Sequence, residues 1–216
     1  MVLKLYYNPG SCSLAAHAAL LEAGLAFEIE KIDLASAANE SEAYLAKNRW
    51  GRVPALVIDD QILTENIAIL SFVADLAPER GLLPPPGSFA RIRALEWMAL
   101  LSSTVHVAFR PLFRPGRLAS SAAGQADVAA IGLTSLNRTL GLLDARIGRG
   151  PYALGETFSL VDVYLFVFLL WMRRPMLAGK LDARPNLDAM LARLAERPAI
   201  SSAMAAEGLS ITIAQG

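Results

Sequence analysis

Pro54 sits at the head of the apolar run Val53-Pro54-Ala55-Leu56-Val57-Ile58, where its ring restricts the local backbone. A proline has no N–H to give to a sheet, so it belongs at the first residue of a strand or on an edge. The residues after it complete a hairpin. Asp59-Asp60 reads as a tight turn, and Gln61-Ile62-Leu63 returns as a second short strand. Thr64, Glu65 and Asn66 are polar, an apolar periodic run starts at Ile67, and Asn66 is expected to cap the helix that follows. The Val53–Pro54 bond is open to either isomer. A trans bond simply opens the strand. A cis bond would turn the chain sharply and face the Val53 N–H and C=O outward, toward an extended peptide.

The segments before this hairpin make a small α/β unit. Residues 2–7 read as a strand, broken by Asn8-Pro9-Gly10. A helix follows, with Leu14, Ala18 and Leu21 on one face, Ser11 or Ser13 as its cap and Gly24 as its stop. Residues 27–34 read as a second strand, and residues 35–47 as helical or irregular. The order is β-α-β-α-β-β-α. Its first two strands should be parallel, joined by a right-handed crossover, and its last two should form a hairpin.

The stiff break Pro84-Pro85-Pro86-Gly87 marks the best boundary. We expect one domain over residues 1–80, a linker over 81–88 and an all-helical domain over 89–216. Residues 89–109 read as one long helix with Ile92, Leu95, Ala99 and Val105 inward, interrupted by the Arg110 to Pro115 segment, with a loop over 116–124. Residues 126–147 form another long helix. Residues 160–172 are apolar all round apart from Asp162, the pattern of a buried central helix. Ser159 and Asp162 have capping-box spacing. A short helix carrying Leu187, Met190, Leu191 and Leu194 ends at Pro198, and the tail from Glu207 shows no pattern.

Composition narrows the function classes. With a formal net charge of +0 and no long basic block, nucleic-acid binding has no electrostatic support. One cysteine excludes an internal disulfide, and one cysteine with two histidines makes a poor zinc set. No segment reads as a signal peptide or a membrane span, so a cytoplasmic protein is expected.

Cys12 is the first candidate for chemistry. It follows a turn at the start of a helix, where unpaired N–H groups favour a thiolate, although a buried inert thiol is the competing reading. His17 lies on a different face from Cys12 and reads as structural. His106 gains interest only if its helix end faces Cys12 across a cleft. Either Tyr6 or Tyr7 is expected to point toward the mouth of such a site. Asp144, Arg146, Arg173 and Arg174 read as solvated or helix-terminal charges. No phosphate loop, HExxH or GxSxG motif is present.

Four segments, LYYNPGSCSLAAHAALLEAG, GRVPALVIDDQILTEN, VHVAFRPLF and GETFSLVDVYLF, together resemble the cytosolic glutathione transferases, most closely the bacterial beta class. The resemblance runs from residue 5 to 166. It implies a thioredoxin-like N-terminal domain, an all-α C-terminal domain, a homodimer, and conjugation of the thiol of glutathione to small apolar electrophiles, with no metal. It also implies a cis bond before Pro54. By this resemblance Cys12 lies beside the glutathione sulfur, with Ser11 and Ser13 as nearby hydroxyl donors and His106 reaching in from the helical domain. Val53 pairs with the cysteinyl part, and Glu65 and Asn66 hold the γ-glutamyl end. Position 66 is Asn where the pattern has Ser, and residues 32–46 lack the usual lysine, leaving Lys47 or Arg52 for the glycyl carboxylate. The alternatives are a disulfide reductase acting through Cys12 and a non-catalytic binding protein that kept the fold. The wall of the second-substrate site is expected from Phe109, Leu112 and Phe113.

Overall fold

The computed structural model describes residues 1–211. Its sheet has four strands, β1 (Leu3–Tyr7), β2 (Glu28–Lys31), β3 (Ala55–Ile58) and β4 (Gln61–Thr64), in the spatial order β2-β1-β3-β4. β1 and β2 are parallel, with α1 (Ser13–Glu22) as the crossover, whereas β3 runs antiparallel to both β1 and β4. The Asp59-Asp60 turn closes the hairpin with Asp59 at φ 53°, and the Val53–Pro54 bond is cis. Between β2 and β3 lies a short helix, α2 (Glu42–Leu45). After β4 comes α3 (Asn66–Leu76). This is a thioredoxin-like sheet, and α1 and α3 pack together beside it.

From Phe89 onward the described elements are helical: α4 (Phe89–Leu100), α5 (His106–Phe113), α6 (Ala122–Ile147), α7 (Leu160–Met172), α8 (Pro185–Ala195) and α9 (Pro198–Ala206). α7 is the hub. Nearly every residue in it is buried, and it packs on α1, α4 and α8. α9 packs on α1, so the core is continuous across the two halves. Among the described residues no helix is long and apolar enough to cross a membrane.

Several local expectations are corrected. Asn66 is the first helical residue of α3 and not its cap; the cap position belongs to Glu65, which sits at φ 69°. The inward face of α4 is Arg91, Ala94, Trp97 and Met98, while Ile92 is 56% exposed. Periodicity held for Leu95, which packs partly buried against the core, and for Val105, but misplaced Ile92 and Ala99, because the buried Arg91 pairs with Asp75 at 3.0 Å and breaks the simple pattern. The long helix does not stop before Pro111. It passes through a π-helical turn, Leu101–Val105, and continues to Phe113. Gly132 of α6 makes room for that proline, since a methyl group there would lie 2.4 Å from Pro111 Cβ. The short helix carrying Leu187 to Leu194 ends at Ala195, just before Pro198, and Pro198 also starts a further helix, α9, as a proline at the first helical position can. Asp144 is not merely solvated: its carboxylate accepts from the backbone N–H of Asn186 and Leu187, fixing the start of α8.

Candidate active site

A cleft of about 880 Å³ opens between the sheet half and the helical half. That is near the upper end of the range for small-molecule sites, roughly 300–1,000 Å³. One wall comes from the turn before α1, the segment before β3 and the start of α3, and carries Ser11, Cys12, Arg52, Val53, Glu65 and Asn66. The other comes from α5 and α7 and their ends, and carries His106, Phe109, Phe113, Tyr164 and Trp171. The helix bearing His106 therefore does face Cys12.

Cys12 is the N-cap of α1, half-buried, and its Sγ–H donates to the Val53 carbonyl at 3.4 Å. The expected thiolate is not favoured. Burial pushes the Cys12 thiol up to about 12, and the nearby Glu65 carboxylate adds to that, against the opposing pull of its own backbone N–H, Arg52 and the Asn66 side chain. Removal of water outweighs the helix-start field here.

Neither serine is a free hydroxyl donor. Ser13 is fully buried and does not line the cleft. Its Oγ donates to the Asn8 carbonyl at 3.2 Å and accepts from the Asn8 N–H at 3.1 Å. Its single proton being so placed, Ser11 Oγ is the donor in the 2.8 Å Ser11–Ser13 contact. The catalytic expectation for Ser13 is thus corrected: these hydroxyls hold the turn that presents Cys12. Ser11 does border the cleft.

Asn66 is buried, and its Nδ2 donates to the Cys12 carbonyl at 3.0 Å, which ties the start of α3 to the start of α1. Its Oδ1 is buried without a hydrogen-bond partner among the described residues. Glu65, beside it, holds a left-handed φ that a non-glycine residue avoids, a strain of about 1–3 kcal/mol that typically gathers at binding sites. Of the two candidates for the missing lysine, Arg52 lines the cleft. Lys47 does not, and its Nζ donates to Tyr6 Oη at 2.7 Å.

Both Tyr6 and Tyr7 are buried and neither lines the cleft, so no tyrosine of β1 reaches its mouth. His106 packs against Trp171 edge to face, with ring centroids 5.0 Å apart. Burial, reinforced by the positive charges of Arg110 and Arg52, lowers its pKa to about 4. At neutral pH it is therefore an uncharged imidazole that can donate one hydrogen bond and accept one. Phe109 and Phe113 line the cleft as expected, whereas Leu112 does not.

The sequence reading missed several residues. Tyr164 lies on the cleft wall from the buried α7, and burial, with the nearby Cys12 and Glu65, raises its phenol pKa. Its signal was available: Tyr164, Phe168 and Trp171 recur at helical spacing, with the hydroxyl alone among apolar neighbours. Arg174, taken for a solvated charge, lines the cleft, sits over the Phe113 ring at 4.7 Å and donates to the Gly10 carbonyl at 3.0 Å. Trp171 Nε1 donates to the same carbonyl at 2.8 Å. The Gly10 N–H in turn donates to Glu207 Oε2 at 2.9 Å, and His17 Nδ1 donates to Glu207 Oε1 at 2.9 Å. His17 is thus the structural histidine expected. The unpatterned tail supplies a buried carboxylate that grips the cysteine-bearing turn.

The chain is similar in sequence and fold to known proteins. Residues 1–75 match the family described as glutathione S-transferase, N-terminal domain, and residues 125–193 match glutathione S-transferase, C-terminal domain. Glutathione S-transferase GstA of Escherichia coli O157:H7 is 36% identical, over 96% of this chain and all of that protein. Among solved structures, a sphingomonad glutathione S-transferase complexed with glutathione is 42% identical, with a TM-score of 0.82 over 96% of this chain and all of that one. A bacterial beta class glutathione S-transferase from Sphingomonas chungbukensis is 40% identical, with a TM-score of 0.83 over the same shares.

Proposed function

Since the chain belongs to the glutathione S-transferase family, we propose that it binds glutathione extended along Val53 and transfers its thiol to an electrophile with an apolar aromatic body. The observation that carries this reading is the convergence, in one cleft, of the Cys12 thiol, the Val53 carbonyl 3.4 Å from it and the strained start of α3 at Glu65-Asn66. Val53 precedes the β3 ladder, so its backbone groups can pair with a peptide. The Glu65 carboxylate suits an ammonium, and the Asn66 N–H at a helix start suits a carboxylate, which together match a γ-glutamyl end. Arg52 suits the glycyl carboxylate. The residues present fit the tripeptide.

In this reading the domain division is the expected one, with glutathione on residues 1–80 and the electrophile against the helical domain from residue 89. Holding both molecules in one cleft contributes to the rate through positioning. The sulfur of glutathione lies near Cys12 Sγ, whose S–H would have to turn from the Val53 carbonyl to donate to it, and neutral His106 offers a hydrogen bond from the facing wall. A reductase would need Cys12 as the attacking thiolate, and burial opposes that. The outward face of α4, with Phe89 and Ile92 exposed, is the proposed homodimer surface, which sedimentation tests as twice 23.1 kDa at micromolar protein.

Calorimetry with glutathione, followed by turnover of a chlorinated nitroaromatic and of a mixed disulfide, tests the activity in wild type and Cys12→Ala. Saturable binding with aryl conjugation is expected, with conjugation reduced but retained in the variant. No binding at millimolar glutathione would leave a binding protein of another kind. Turnover of the disulfide alone would make the protein a reductase.

A further inference from the structure

The helical wall of the cleft carries four arginines, Arg110, Arg114, Arg117 and Arg174, and no carboxylate; the two acids of the cleft, Glu40 and Glu65, come from the sheet half. None of the four arginines belongs to an ion pair among the described residues. The chain as a whole is neutral, with 20 basic and 20 acidic residues, so this is a local concentration and not the trace of a basic protein. Like charges gathered on one wall repel, and Arg114 indeed adds to the burial that lowers the Arg174 pKa. An arrangement of that kind lowers its energy by receiving an anion.

The same wall is aromatic. Phe113 packs on Phe109 and Trp171 with centroids 5.4 and 5.3 Å apart, and the Arg174 guanidinium covers the Phe113 ring. Glutathione does not account for these cations, because its two carboxylates are assigned to the opposite wall, at Asn66 and Arg52. Resting on the glutathione reading above, we propose that the second substrate is an aromatic carboxylate, its ring against Phe113 and Trp171 and its anionic end held by Arg110, Arg114 and Arg117. Guanidinium groups suit that end because they pair with a carboxylate in two parallel hydrogen bonds. In the reaction the glutathione sulfur bonds to the ring carbon bearing the leaving halide. The carbon–halogen bond breaks, halide departs with the electron pair, and the thiol proton goes to solvent.

The test compares 4-chloro-3,5-dinitrobenzoate with its neutral methyl ester, each rate divided by its uncatalysed rate with glutathione. The wild-type kcat/KM should favour the carboxylate by about tenfold or more, and the preference should shrink as salt is raised. Arg114→Gln with Arg117→Gln should remove most of that preference through the KM of the carboxylate. Ester turnover and the glutathione Kd should stay within about twofold. An equal or greater wild-type preference for the ester overturns the inference, as does an unchanged preference in the double variant. A weaker glutathione Kd in the double variant, with both substrates slowed alike, overturns it too, by assigning these arginines to glutathione. Absence of glutathione binding in wild type defeats the underlying reading, whereas intact binding and ester turnover without a carboxylate preference defeats this inference alone.

Discussion

Cys12 shows how two local forces on one atom are decided by burial. A helix start lowers a thiol pKa, but the loss of water around Sγ is the larger effect and leaves the group protonated at pH 7. Alkylation by iodoacetamide at pH 8 should therefore be at least about tenfold slower at Cys12 than at the thiol of free glutathione. Equal rates would show that the site does hold a thiolate. His106 is displaced in the opposite sense. The unfolded chain protonates it near 6.5, while the folded protein keeps it neutral down to about 4. Between those values the unfolded state binds more protons, so the stability due to this group is complete above 6.5 and is lost as pH falls through 4. Denaturant titrations from pH 7 to pH 4 should show His106→Asn losing less stability than wild type over that window. Parallel curves would exclude the linkage.

Among the elements, α7 depends most visibly on its first turn. Asp162 is fully buried, and its carboxylate accepts from the Ser159 N–H at 2.8 Å and the Ala153 N–H at 2.7 Å, while Ser159 Oγ accepts from the Val161 N–H. Burial raises the Asp162 carboxyl to about 6, against the donors that favour the anion. Ser159→Ala should destabilise by about 0.5–2 kcal/mol, the usual cost of a lost cap. Asp162→Ala should cost more, about 2–4 kcal/mol, because two backbone donors lose their acceptor in the core. Unchanged denaturation midpoints for both variants would show that the cap is dispensable. The single residue Asp162 thus fixes both the central helix and the Tyr152 to Gly155 turn in front of it.

For the whole molecule, the Gly10 peptide joins the two halves. Its N–H goes to Glu207 and its C=O to Trp171 and Arg174, all from the helical half. The turn that presents Cys12 is held by residues at the far end of the chain. Glu207→Ala removes the acceptor of both Gly10 N–H and His17 Nδ1, so it should destabilise by at least about 2 kcal/mol. It should also lower turnover by loosening the Cys12 turn. Wild-type stability and turnover in this variant would show that the contact is incidental.

The parts of this protein that follow from its sequence are those governed by neighbours in the chain. Pro54 at a strand head, the Asp59-Asp60 turn, the Ser159–Asp162 cap and the unbroken apolar run of α7 each act within a few residues, and each was legible. So was the pairing of β1 with β2 through a crossover helix, because handedness leaves one arrangement. The same local rules misjudged Asn66, the inward face of α4 and the course of the chain through Pro111. In those places a partner distant in sequence changed the outcome: Cys12 for Asn66, Asp75 for Arg91 and Gly132 for Pro111. The cleft is of the second kind throughout. Glu207 reaches Gly10 across 197 residues, and the walls that shield half-buried Cys12 come from both halves. The arginine and aromatic wall likewise forms only when α5 and α7 are packed side by side. Burial and convergence belong to the packed chain, and they set the protonation of Cys12 and His106 and the charge on the helical wall of the cleft.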